Sequence, residues 1–169
     1  PPFDMEYIYT TYLLGRAEEA GCLVVNRSNS LRDVSEKAYT MWFAECCPPT
    51  LITRSMEEIR AFLADLGSIV VKPLDGMGGR SIFVVHAGDP NSNVIFETIT
   101  ESGERFAMAQ QYIKEISDGG DKRILLIDGQ PYPHALARVA TLQPRVATDA
   151  SRWTPAVSEL CLARTATSP

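Results

Sequence analysis

Residues 70–85, VVKPLDGMGGRSIFVV, constrain this chain more than any other stretch. Two apolar runs flank a glycine-rich turn, the pattern of two strands joined as a hairpin, and the first strand delivers Lys72 to the turn. Gly76, Gly78 and Gly79 carry no side chain. The backbone there can take positive φ and bring its N–H groups close to phosphate oxygens, with Lys72 supplying positive charge nearby. The lysine precedes the glycines, which excludes the G-x-x-x-x-G-K-[ST] phosphate loop, and no G-x-G-x-x-G opens a helix. An arbitrary Gly-x-Gly-Gly is more often a flexible turn beside an exposed lysine, so the surrounding residues decide between the two readings.

Around this hairpin the chain alternates helical and strand patterns. Residues 6–20 place Tyr9, Tyr12, Leu13 and Ala17 at helical spacing, with Gly21 as the stop. Residues 22–26, CLVVN, read as a short buried strand. Ser30 as N-cap, with Asp33 three positions on, opens a long helix to Cys46, and Pro48-Pro49 ends it. Residues 50–53 read as a strand, Ser55 caps a helix to Leu66 with Glu57 and Glu58 in its first turn, and residues 68–74 read as a strand. Residues 81–86, 94–100, 106–113 and 123–129 are then short β-like runs separated by turn residues, which predicts an antiparallel sheet.

Composition removes several function classes. With 45% hydrophobic and 22% charged residues the chain is globular in type. A net charge of −5 without a Lys/Arg stripe argues against nucleic acid. No apolar run approaches the roughly 18 residues of a membrane helix, and the amino end has no signal core, so no membrane association and a cytoplasmic location are expected. Cys22, Cys46, Cys47 and Cys161 show no metal-ligand spacing and are read as reduced thiols, with Cys46 and Cys47 packed or at a helix end. His86 and His134 are read as structural or exposed, and Tyr39, Met41, Trp42 and Phe43 as core. A start at Pro1 rather than methionine reads as a missing natural amino terminus, with processing as the alternative.

The segment KPLDGMGGRSIF, with SLRDVSEK before it and MAQQYI and GDKRILLIDG after it, resembles the bacterial glutathione synthetases in order and spacing. PPFDMEYIYTTYLL resembles the stretch preceding that family's central domain, and the resemblance runs from residue 1 to about 139. It implies an α/β to α+β chain carrying an incomplete ATP-grasp fold. Residues 1–29 would end the preceding α/β domain, residues 30–139 would form the ATP-grasp region, and residues 140–169 would be a divergent tail, disordered or frame-shifted.

In that family ATP is gripped between two α+β lobes. The resemblance makes Lys37 and Lys72 the lysines that reach the phosphates, and Gly76, Met77, Gly78 and Gly79 the flap over them, with Ser81 and Phe83 on its far strand. Arg80 stands at a variable position. Gln110, Gln111, Tyr112 and Ile113 would border the adenine, chiefly through backbone groups. Asp121 would approach the ribose; Asp118 is the alternative, because DGGDKR is one residue longer than the usual loop. Arg123 and Arg138 would approach the peptide substrate and the transferring phosphoryl group, as planar donor forks suit.

The implied reaction is ATP-dependent ligation of γ-glutamylcysteine to glycine through an acyl phosphate, with Mg2+ (Mn2+ possible) and a homo-oligomer in the intact family enzyme. No metal ligand is assigned here. The family's second glycine-rich loop and its Glu-x-Asn element do not follow LARV, residues 136–139. Residues 140–169 contain no glycine, twenty of the thirty are Ala, Thr, Ser, Pro or Arg, and Asp149 and Glu159 are the only acids. This chain alone is therefore expected to bind ATP weakly at most and to be inactive in synthesis. Two alternatives stand beside this reading: a non-catalytic nucleotide-binding remnant, and another ATP-grasp carboxylate-amine ligase, against which PPFD and KPLDGMGG argue.

Overall fold

The computed structural model describes residues 3–76, 79–138 and 152–155. The chain falls into two compact units, Pro1–Tyr112 and Ile113–Pro169. Among the described residues no helix is long and apolar enough to cross a membrane.

In the first unit the Asp4 side chain accepts the Tyr7 N–H at 2.9 Å and opens helix α1, Met5–Glu19. Ala20 ends it and Gly21 follows at φ +91°. Its Tyr9, Tyr12 and Leu13 stay exposed. Residues 22–26 do not form the expected strand, and Leu23 and Val25 are 91% and 82% exposed. An apolar run becomes a strand only where another edge satisfies its backbone, and the described residues supply none here.

The single helix expected from Ser30 to Cys46 is two shorter pieces. Helix α2, Ser28–Asp33, begins ahead of Ser30 because Glu18 of α1 accepts the Ser28 N–H at 3.2 Å and also its hydroxyl. The Tyr7 hydroxyl donates to the Leu31 carbonyl at 3.1 Å, competing for a group that a continuing helix would use. The chain turns, and a 3₁₀ segment follows over Ala38–Cys46 with a kink at Phe43. Three residues per turn eclipse positions i and i+3, and Tyr39 and Trp42 stack with centroids 5.1 Å apart. Met41, Trp42 and Phe43 are about half exposed, so this aromatic cluster lies outside the core in which it was expected.

Four strands form one sheet: β1 Thr50–Thr53, β2 Ser68–Pro73, β3 Phe83–His86 and β4 Ala107–Gln111. Their order is β1-β4-β2-β3 with every neighbouring pair antiparallel. Helix α3, Met56–Leu66, is capped by Ser55 as expected and ends at Gly67 in the left-handed conformation. Residues 94–100, expected as a strand, lie in helix α4, Ser92–Thr100. Val94, Ile95, Thr98 and Ile99 favour strands locally, but Phe96, Ile99 and Thr100 fall on one helical face and are buried, and that burial outweighs a small propensity difference. The core joins Ile59 and Leu63 of α3 and Phe96 and Ile99 of α4 to Ile69, Val71, Val85, Ala107 and Ala109 of the sheet.

The second unit contains helix α5, Glu115–Gly119, and a three-stranded antiparallel sheet in the order β5-β6-β7. Its strands are β5 Asp121–Ile127, β6 Gln130–Arg138 and β7 Arg152–Pro155. Asp128 and Gly129, both at positive φ, make the turn between β5 and β6.

Candidate phosphate-binding site

Side chains alternate across a strand, and β2 shows the period cleanly. Ile69 and Val71 are buried under the helices, while Val70 and Lys72 point to the other face. The register puts Thr50 opposite Gln110 and Lys72 opposite Met108, so Thr50, Gln110 and Lys72 share that second face. Lys72 Nζ donates to Gln110 Oε1 at 2.6 Å, and Gln110 Nε2 donates to Thr50 Oγ1 at 2.8 Å. Three adjacent strands thus fix the amide orientation and, through it, the ammonium.

Lys37 reaches the same region from the turn before the 3₁₀ segment. Its Nζ donates to the Gly76 carbonyl at 2.6 Å and to Glu36 at 2.8 Å, and its side chain is 13% exposed. Burial lowers the Lys72 pKa from the ordinary lysine value, the Lys37 charge lowers it further, and Glu36 and Cys47 act in the opposite direction. Two ammonium groups brought together on a partly desolvated surface favour an anion that offsets both.

The hairpin between β2 and β3 forms as expected, with Val71 opposite Phe83. Gly79 has φ +75° and Ser81 φ +56°, so the returning limb uses the left-handed backbone that glycine permits. At Gly76 a Cβ would lie 2.5 Å from Pro73 Cγ, and glycine is required there for space. Met77 and Gly78 lie outside the described residues. Phe83 packs against the core, on the face opposite Lys72.

On β4 the backbone of Gln110 lies within ladders to both β1 and β2. The Gln111 N–H donates to the Pro49 carbonyl at 3.0 Å and the Tyr112 N–H to the Ser68 carbonyl at 3.1 Å. In the second unit Ile113 accepts the Ile116 N–H at 3.2 Å and is 41% exposed. Asp121 and Arg123 share one face of β5 by the two-residue period, and the register puts Arg138 opposite Asp121. Asp118 lies in α5. Among the described residues no group of three or more His, Cys, Asp or Glu is placed to hold a metal ion.

Sequence reasoning did not assign the contact of the Gln110 side chain with Lys72, or the ion pairs of Arg105 with Asp75 and Glu101. The Arg105–Asp75 pair is 30 positions apart and the Lys72–Gln110 pair 38, so no local pattern announces them.

A lysine pair beside a glycine-rich hairpin, on a sheet backed by two helices, occurs in a fold shared with ATP-grasp proteins. The chain aligns with the ATP-grasp ligase PsnB at TM-score 0.55 and 23% identity, over 86% of this chain and 44% of that one. With the D-cycloserine synthetase DcsG the TM-score is 0.58 at 21% identity, over 80% and 50% of the two chains. Residues 36–147 match the prokaryotic glutathione synthetase ATP-grasp domain, and residues 1–32 match that family's N-terminal domain. The chain belongs to the prokaryotic glutathione synthetase family. It is 58% identical over 139 residues to the glutathione synthetase of Salmonella typhimurium, an alignment covering 82% of this chain and 44% of that relative. The chain thus spans less than half of that relative's length.

Proposed function

We propose that this chain carries the phosphate-holding part of a glutathione synthase, an ATP-dependent carbon-nitrogen ligase of the cytoplasm. The observation that carries the reading is that Lys37 sits on the Gly76 carbonyl of the hairpin that Lys72 enters, near enough for its charge to lower the Lys72 pKa, from a segment 35 residues away in sequence. Both ammonium groups would donate to phosphate oxygens, Lys72 held by Gln110 and Lys37 by the Gly76 carbonyl. Gly76 and Gly79 let the loop backbone approach the same oxygens, and residues 110–113 would border the adenine. By the family resemblance, Asp121, or Asp118 in its place, would approach the ribose, and Arg123 and Arg138 the peptide substrate and the transferring phosphoryl group.

In the whole enzyme, the γ-phosphoryl group of ATP passes to the carboxylate of γ-glutamylcysteine, giving ADP and an acyl phosphate. The glycine amine then attacks the acyl carbon, phosphate leaves, and the amine loses a proton. A divalent cation, Mg2+ or Mn2+, would offset charge during phosphoryl transfer.

Calorimetric titration of the 169-residue chain with Mg-ATP, beside its Lys72→Ala variant, tests the proposal. Binding that Lys72→Ala removes supports it; a folded chain that binds no nucleotide rejects it. Assay of glutathione formation then separates ligation from binding alone.

A further inference from the structure

The stem of the glycine-rich hairpin is tied to the core by residues outside the lysine pair. Helix α4 ends in a chain reversal at Glu101, Ser102 and Gly103, all at positive φ. The Ser102 N–H donates to the Glu97 carbonyl at 2.8 Å, and the Arg105 N–H to the Thr100 carbonyl at 2.8 Å. Thr100 is itself fully buried, with its hydroxyl on the Phe96 carbonyl at 2.6 Å. The backbone of Arg105 therefore belongs to the rigid part of the unit.

From that platform the guanidinium uses two nitrogens at once. Nη1 donates to Glu101 Oε1 at 2.7 Å, and Nη2 donates to Asp75 Oδ2. Glu101 orients the fork, and a planar fork holding two carboxylates has little freedom left. Asp75 immediately precedes Gly76, whose carbonyl accepts from Lys37 and where a Cβ would lie 2.5 Å from Pro73 Cγ. A continuous path of contacts thus leads from α4 through Arg105, Asp75 and the Gly76 carbonyl to the Lys37 ammonium.

We propose that Arg105 is a positioning residue of the phosphate site, fixing the Gly76 carbonyl through Asp75 and thereby placing Lys37 beside Lys72. The inference rests on the phosphate reading of the lysine pair for its functional consequence, but not for the mechanical one. Arg105 and Asp75 are 45% and 31% exposed, and an exposed ion pair adds little to global stability, so the effect belongs to the site rather than to the fold.

The test uses the 169-residue chain and its Arg105→Gln variant in two measurements. Without nucleotide, NMR order parameters at Asp75 and Gly76 fall in Arg105→Gln while those of α3 stay unchanged. With Mg-ATP, Arg105→Gln weakens Kd by about 3- to 5-fold. That loss disappears in a Lys37→Met background, and Asp75→Asn, which removes the same ion pair from its other side, gives a like loss that does not add to that of Arg105→Gln. Unchanged order at Asp75 and Gly76 overturns the proposal, as does an equal loss of affinity with and without Lys37. If the parent chain binds no Mg-ATP the phosphate reading fails, and the order parameters alone decide whether Arg105 fixes the stem.

Discussion

Replacing Lys72 by methionine separates nucleotide affinity from stability. The side chain lies half-buried on the face of β2 away from the helices, where burial and the Lys37 charge both disfavour its protonated form. Folding therefore gains nothing from that charge, and methionine keeps most of the apolar stem. The loss is at Gln110, whose Oε1 gives up a donor at 2.6 Å, although Thr50 still holds Nε2 and the residue is accessible enough for water to replace the ammonium. The two effects oppose each other, leaving a net change within about 1 kcal/mol, or about 4 °C in Tm. In the proposed complex the same ammonium faces phosphate, where a hydrogen bond to a charged partner contributes about 1.5–3 kcal/mol, equivalent to a 10- to 150-fold loss in Kd. Calorimetric titration with Mg-ATP and thermal unfolding on the same samples measure both. A Lys72→Met chain that binds Mg-ATP like the parent, or one that loses affinity only because it melts far earlier, refutes the reasoning.

Three further outcomes follow from the same geometry. Because the Lys72 pKa lies below the ordinary lysine value, Mg-ATP affinity falls at lower pH than an exposed lysine would dictate, and Lys37→Ala moves that fall to higher pH. In the unligated chain the unfolded state holds the Lys72 proton more tightly, so its destabilising contribution is present at neutral pH and lifts as pH rises through the folded value; titrated affinity and denaturant unfolding across pH 7 to roughly 11 check both signs. Gly76→Ala drives a Cβ to within 2.5 Å of Pro73 Cγ and costs about 1–3 kcal/mol, read as a lower Tm together with weaker Mg-ATP binding because the acceptor of Lys37 shifts. Ser55→Ala removes the acceptor of the Glu58 N–H at 3.3 Å and costs about 1 kcal/mol in denaturant unfolding, with nucleotide affinity unchanged.

What was legible in the sequence was local. The hairpin of β2 and β3 follows from the alternation of Ile69, Val71 and Lys72 and from glycines in a turn, and α3 follows from Ser55, its acidic first turn and Gly67. The family likewise showed in the wording of KPLDGMGG and the segments around it, which nominated Lys37 and Lys72 before their positions were known. Where local preference and packing disagreed, packing decided. Residues 94–100 carry strand-forming side chains and are helical because Phe96 and Ile99 must cover the sheet. Ser30 has the chemistry of an N-cap, but the helix begins three residues earlier, with Arg27 as its N-cap and Glu18 of a neighbouring element holding Ser28.

The sequence by itself determined the strand period that turns Lys72 away from the core, and the glycines that let the chain reverse beside it. Tertiary structure alone decided that Lys37 meets Gly76, that Gln110 holds Lys72, and that Arg105 reaches Asp75. Those contacts join segments 30 to 39 residues apart. Dihedral preference and side-chain period act over a few residues, whereas such pairings exist only after the sheet has set its register and the core has closed behind it.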